Sequence, residues 1–164
     1  MTHTNQNPVL VRATDAEVLS RETASPITLL TDSDATGGVL TSHRSLFREG
    51  SQGAPPHFHK RSAELFFVLS GSLQVLLGEE VVTLESGDFL LIPPHLPHAF
   101  APPRGAEADV LFVFAPGVPR DDYYRLLDRV YSGQADPKEI GETQELYDNY
   151  YLESAAWEEA RAGD

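Results

Sequence analysis

A succession of short apolar runs, each closed by turn residues, constrains this chain more than any other feature. Runs rich in β-branched and aromatic residues occupy positions 27–30, 39–47, 65–69, 73–77, 81–84, 89–92 and 110–114. Between them stand Asp34-Ala35-Thr36-Gly37-Gly38, Ser70-Gly71-Ser72, Gly78-Glu79-Glu80 and Glu85-Ser86-Gly87-Asp88. Each run is too short for a stable helix, and regular spacing with glycine-containing turns specifies an antiparallel sandwich or barrel.

The period changes after Pro116-Gly117-Val118-Pro119. Tyr123, Leu126, Leu127, Val130 and Tyr131 fall on one helical face. Asp136-Pro137-Lys138-Glu139 then reads as a second helix start: Asp136 accepts from the third amide, Pro137 takes the first position and Glu139 bonds back. Ile140, Leu146, Tyr147, Tyr150 and Tyr151 are expected on its buried side. The stretch from Ser154 to Asp164, which holds Trp157, reads as a short third helix or a disordered tail. Near the other end, Thr14-Asp15-Ala16-Glu17 can cap one helical turn before Val18-Leu19. The expected organisation is an N-terminal segment, partly disordered, over residues 1–24, a barrel over 25–118, and a helical appendage packed on the barrel over 119–164.

Charge narrows the partners. Among 164 residues, Lys+Arg 12 stand against Asp+Glu 25, a formal net charge of −13. Such a surface repels phosphate backbones and anionic headgroups, so neither nucleic acid nor membrane is an expected partner. No apolar stretch approaches the ~20 residues that a spanning helix needs, and the polar opening MTHTNQNP has no signal-like apolar core, so a cytoplasmic location is expected. Cys 0 removes disulfides, thiolate metal sites and cysteine nucleophiles together. A metal in this chain must be held by nitrogen and oxygen.

Donors of that kind cluster in Pro55-Pro56-His57-Phe58-His59-Lys60-Arg61-Ser62-Ala63-Glu64. In an extended strand His57 and His59 project to one face while Phe58 points away. Glu64 shares parity with Phe66 and Val68, which puts its carboxylate on the inward face. Pro93-Pro94-His95-Leu96-Pro97-His98 offers a further imidazole, His98, after the 89–92 run. Three imidazoles and a carboxylate suit one divalent first-row ion, with nickel, iron, manganese, cobalt, copper and zinc all compatible. Parity also nominates a substrate pocket: Phe66 and Val68 beside Glu64, Phe100 beside His98, and Phe112 and Phe114 from the last strand. The same residues equally describe a filled barrel core. His43 and His95 join the pocket list without a motif partner that fixes their direction.

These residues resemble the motifs of a single-domain cupin of the quercetin dioxygenase-like group. The family's first motif runs Gly, five residues, His-x-His, three or four residues, Glu, six residues, Gly, and is matched by His57, His59, Glu64 and Gly71. Its second runs Gly, five residues, Pro-x-Gly, two residues, His, three residues, Asn, and is matched by Gly87, Pro93 and His98. Ser51 stands where the first motif opens on Gly, His95 replaces the internal Gly of the second, and Pro102 replaces its closing Asn. None of these departures removes a ligand position, and the resemblance covers about residues 9–152.

The resemblance implies an all-β fold, the double-stranded β-helix or jelly-roll barrel, with a C-terminal α-helical appendage. It also implies a homodimer and a dioxygenase that uses molecular oxygen on an enolisable aromatic substrate of flavonol or polyphenol type, with Glu64 as both ligand and proton acceptor. Two other classes fit the same residues: an isomerase or polyketide cyclase that takes up no oxygen, and a non-catalytic metal- or ligand-binding cupin.

Overall fold

Alternation of inward and outward side chains lets these strands enclose a core. Along 108–115, Ala108, Val110, Phe112 and Phe114 are buried while the residues between them are partly exposed. A computed structural model describes residues 7–163. Its strands are β1 (Val18–Leu19), β2 (Ile27–Thr31), β3 (Thr41–Phe47), β4 (Ala54–Phe58), β5 (Ala63–Leu77), β6 (Glu80–Glu85), β7 (Phe89–Ile92), β8 (His98–Ala101) and β9 (Ala108–Ala115). After them come α1 (Asp121–Tyr131), α2 (Lys138–Glu142), α3 (Gln144–Tyr147), β10 (Tyr150–Tyr151) and α4 (Ala155–Ala162).

The strands run in the order β1-β2-β3-β9-β5-β8-β4-β10, with β6 and β7 also paired to β5. All described pairings are antiparallel. The expected all-β barrel with helices at its C-terminal end is what the chain adopts.

One expected turn is absent. Ser70-Gly71-Ser72 lies inside the 15-residue β5. Before it the buried positions are Glu64, Phe66 and Val68, and after it Leu73, Val75 and Leu76; Leu73 and Val75 join the barrel core while Leu76 is covered from outside by Trp157, so the inward parity changes from even to odd. A register shift against β9 between Val68 and Ser70 accounts for the change. An extra residue in a strand moves all later side chains to the other face, and here it carries β5 from one sheet into the other. Gly71 has φ 79°, and a Cβ on it would lie 2.0 Å from the Glu107 carbonyl oxygen. Glycine marks a close approach between strands at this point rather than a chain reversal.

The termini differ from expectation in detail. Residues 12–16 close a single hydrogen-bonded turn, Ala16 N donating to Arg12 O at 3.1 Å, but Val18 and Leu19 pair with β2 as strand. On α1 the buried residues are Tyr123, Tyr124 and Leu126, while Tyr131 is 73% exposed. The expected second helix divides into α2 and α3, and neither buries a residue. Asp136 Oδ1 accepts from Lys138 N at 3.0 Å, one residue earlier than the expected capping box. Leu146 is exposed, and Tyr150 and Tyr151 leave the helix to pair with β4. Within the 154–164 stretch, of which Asp164 lies outside the described residues, Ala155–Ala162 form α4; the Ser154 hydroxyl accepts from Trp157 N, and Trp157 packs on Leu76, Ala99 and Ala101. No helix among the described residues is long and apolar enough to cross a membrane.

Candidate metal centre

Register brings three of the four proposed ligands together, one from each of three strands. His57 on β4 stands opposite His98 on β8, and Glu64 on β5 stands between Phe114 and Ile92. His59 lies just past the end of β4, where its carbonyl accepts from His95 N at 2.6 Å. The ligand atoms of His57, His59, Glu64 and His98 all lie within 4.8 Å of one another, and all four residues are buried.

The hydrogen bonds behind the rings determine which nitrogen faces the centre. His57 Nδ1 meets the Pro55 carbonyl at 2.7 Å, His59 Nδ1 the Asp148 carbonyl at 2.6 Å, and His98 Nδ1 the Leu96 carbonyl at 2.9 Å. A carbonyl only accepts, so each Nδ1 carries a proton, and each ring turns its Nε2 inward. Burial holds the His57 pKa well below the ordinary imidazole range, with the neighbouring histidines His98 and His59 adding to it. Burial lowers the His59 pKa as well, against the opposing pull of Glu64. For Glu64, burial favours the neutral acid, but contacts from His59 and His98 outweigh it and hold the carboxyl well below its usual range.

Glu64 Oε2 is 3.0 Å from His59 Nε2 and 2.8 Å from His98 Nε2. Only a shared proton or a cation reconciles an ionised oxygen with ring nitrogens at these distances. The residues fit one divalent ion bound by three Nε2 atoms and a carboxylate oxygen.

Beside the cluster opens a cavity of about 390 Å³, with His57 and Glu64 in its wall. Of the residues nominated from sequence, Phe100 and His43 line it. Phe66, Val68 and Phe112 are packed in the core with no exposure. Phe114 lies beneath Arg120, with its ring edge-on to His59. His95 is exposed with φ 73°, and its contribution near the site is the backbone bond to His59.

Sequence reasoning missed most of the wall. Ile27 and Phe47 come from the barrel, Arg120, Tyr123 and Tyr124 from the start of α1, and Asn149 and Tyr151 from the return after α3. Arg120 is 3% exposed, with its guanidinium 4.4 Å above the Phe114 ring and 4.6 Å from Tyr123. Burial pushes the phenol pKa values of Tyr123, Tyr124 and Tyr151 upward, so all three remain protonated near neutrality.

Asp148 was also missed. It sits in the left-handed region at φ 56°, 1% exposed, and its carboxylate accepts from the amides of Lys60, Arg61 and Ser62 at 2.8, 3.0 and 3.2 Å. The appendage thus clamps the loop between His59 and Glu64. Its side chain holds the loop backbone while its carbonyl orients His59.

Residues 44–114 match the family model described as Cupin domain. The chain has the cupin fold, and that stretch is similar to the cupin family. It is 32% identical over 87 residues to Protein SchB of Streptomyces halstedii, a stretch covering 53% of this chain and 56% of that relative, so the match spans little more than half of the relative's length. Among solved structures, the cupin resembles an RmlC-like cupin from Shewanella frigidimarina at TM-score 0.57 and 19% identity, over 71% of this chain and 96% of the other. It also resembles the polyketide cyclase RemF from Streptomyces resistomycificus at TM-score 0.54 and 20% identity, over 72% and 91%. At such identities the likeness concerns the cupin fold.

Proposed function

We propose that this cupin is a metal-dependent enzyme acting on an enolisable aromatic small molecule, with oxygen-dependent cleavage of the dioxygenase type as its reaction. The observation that carries the reading is the convergence of three imidazole nitrogens and one carboxylate at the wall of a cavity of about 390 Å³, a size typical of small-molecule sites. A divalent ion held there supplies Lewis acidity, lowering the pKa of an enol hydroxyl as it does that of water.

The protein's own groups supply the rest. Glu64 Oε2 is engaged toward His59 and His98, which leaves Oε1 to take the enol proton. Phe47 and Phe100 present ring surfaces to the cavity, against which a planar substrate stacks with water excluded.

One observation favours a second reading, cyclisation or isomerisation without oxygen. Tyr123, Tyr124 and Tyr151 line the cavity as protonated phenols; Tyr123 and Tyr151 share one hydrogen bond with each other, which leaves one proton of that pair and the Tyr124 proton to donate to a substrate carbonyl. The fold likeness to RemF points the same way.

Metal analysis of the purified protein, followed by an oxygen-electrode screen of flavonols, β-diketones and polyphenols, tests both readings. Oxygen uptake matched to substrate loss supports the dioxygenase, and anaerobic conversion to a product of unchanged oxidation state supports the cyclase. Ligand binding without turnover for any metal would refute both.

We further propose a cytoplasmic homodimer. Phe67, Leu69, Phe89 and Leu91 leave a contiguous apolar face on β5 and β7, with Phe67 opposite Phe89, and such patches on a small protein mark association surfaces. Light scattering after gel filtration should give twice the chain mass, and a monomer at micromolar concentration would refute it.

A further inference from the structure

The cavity has a second polar end that the proposed ligands do not explain. Arg120 is buried there, and Tyr147 O, the Asn149 Oδ1 and the Tyr124 hydroxyl occupy its terminal nitrogens at 2.9 to 3.5 Å. Its Nε has no partner. His43, 4% exposed, stacks on Phe112 and lies 4.5 Å from Tyr124, and its Nδ1 has no partner either. Both side chains line the cavity that reaches His57 and Glu64. A buried donor without an acceptor carries a desolvation cost that folds do not retain without a compensating role.

Charge points to what fills this end. Among the described residues no carboxylate lies within ion-pair distance of the Arg120 guanidinium, although the chain as a whole is strongly acidic. Burial alone would lower the Arg120 pKa, but Tyr124, Tyr123 and Glu64 raise it, so the group is a full cation. That cation, with burial the larger cause, pushes the His43 pKa down to about 3, so His43 is a neutral hydrogen-bonding group. Phe114 is the spacer between the two ends, 4.4 Å from the Arg120 guanidinium and 5.1 Å from the His59 ring. A divalent ion with one carboxylate ligand would leave the metal end cationic too, so the metal-loaded pocket would have two positive ends with aromatic walls between them.

We propose that Arg120 and His43 form an oxyanion subsite, and that the substrate is an aromatic anion whose carboxylate or ionised ring oxygen binds there while a second oxygen faces the metal cluster. The proposal rests on the functional reading above for the metal end only. Arg120 Nε and His43 Nδ1 are closed to solvent while the cavity is empty, so the oxyanion takes them as the two side chains turn toward the cavity they line, with Tyr124 and Asn149 anchoring the terminal nitrogens of the guanidinium.

The test uses metal-free protein and two fluorescent probes, 6-hydroxy-2-naphthoate and its primary amide, which differ only in the charge at one end. Titration at neutral pH should show the acid binding roughly 10- to 100-fold more tightly than the amide, as a charge-assisted pair in a buried site implies. Arg120→Gln should abolish the preference. His43→Phe should reduce the affinity for the acid several-fold while the preference for acid over amide survives. Because Arg120→Gln removes a buried hub, the wild-type acid-to-amide ratio stands as the measurement independent of folding. Equal binding of the two probes to wild-type protein, meaning that only water satisfies these atoms, would overturn the proposal. So would a preserved preference in folded Arg120→Gln. Neither result bears on metal uptake or turnover, whose failure would overturn the functional reading alone.

Discussion

Asp148→Ala isolates the clamp that joins the appendage to the metal cluster. Three amides lose a carboxylate acceptor, those of Lys60, Arg61 and Ser62. Each such bond to a charged group contributes about 1.5 to 3 kcal/mol. The three do not count equally, because Lys60 and Arg61 are exposed and their amides can recover water, whereas Ser62 is 1% exposed and its amide is stranded. One stranded donor and two partly compensated ones give about 3 to 4 kcal/mol of lost stability, which a domain of ordinary stability survives. Asp148→Asn, which tolerates the left-handed backbone and keeps one acceptor oxygen, should lose about half as much. Because the Asp148 carbonyl also fixes the His59 ring, loosening this loop should weaken metal binding by roughly 10- to 100-fold. Urea unfolding of the metal-free protein reads the first effect, and zinc titration against a competing chelator reads the second. An alanine variant less than about 1 kcal/mol below wild type, with unchanged zinc affinity, would show that the appendage does not support the site.

Glu64→Gln should leave the three imidazoles in place but remove the charge and the proton acceptor, so metal content falls in plasma emission analysis and turnover falls further still. Wild-type turnover in a metal-loaded Glu64→Gln protein would rule out the acid-base role. Gly71→Ala should cost well over the ~1 kcal/mol of an ordinary left-handed glycine, since its Cβ meets backbone oxygen at 2.0 Å. Gly87→Ala, at φ 90° with nothing within 4 Å, should cost only that smaller amount, and thermal melts of the two should separate clearly. Asp121 has its pKa raised to about 6, by burial first and the neighbouring Asp32 second, so the folded state holds the proton more tightly than the unfolded chain. Its contribution to stability is therefore present below about pH 4 and lost as pH rises through about 6. Asp121→Asn should stabilise the protein by about 1 kcal/mol at pH 8 after allowance for solvent screening, and by little at pH 4. Equal effects at both pH values would contradict the burial argument.

The barrel and the clustering of His57, His59, Glu64 and His98 were legible because both depend on local rules. Short apolar runs give strands, and His-x-His in an extended segment gives two imidazoles on one face. What failed was everything that depends on height along the barrel or on remote chain. Parity correctly turned Phe66, Val68 and Phe112 inward, but a parity argument cannot distinguish the packed middle of a barrel from its open end, and these three fill the middle. Ser70-Gly71-Ser72 has the composition of a turn, and only the nearby Glu107 backbone explains why glycine sits in a continuous strand. Arg120 lies between Pro119 and two aspartates, a context that reads as solvated loop, and its burial comes from aromatic rings on β9 and α1. Asp148 carries no local signature at all, since its partners are some 86 residues away in the chain.

The passage of β5 from one sheet to the other bears on the order in which the molecule forms. Its first part pairs with β7 and β9, and its second with β6 and β8. Only the hairpin with β6 is local, while the partners on β9 lie roughly forty to fifty positions further along, so loop-closure entropy must be overcome before most pairs form. His57, Glu64 and His98 sit on strands joined through these distant pairings, and His59 is oriented from beyond α3. A complete coordination sphere therefore exists only after both sheets have closed. An ion that binds so late strengthens the native state without easing the climb toward it, and its influence falls on how long the folded molecule lasts rather than on how fast it arises.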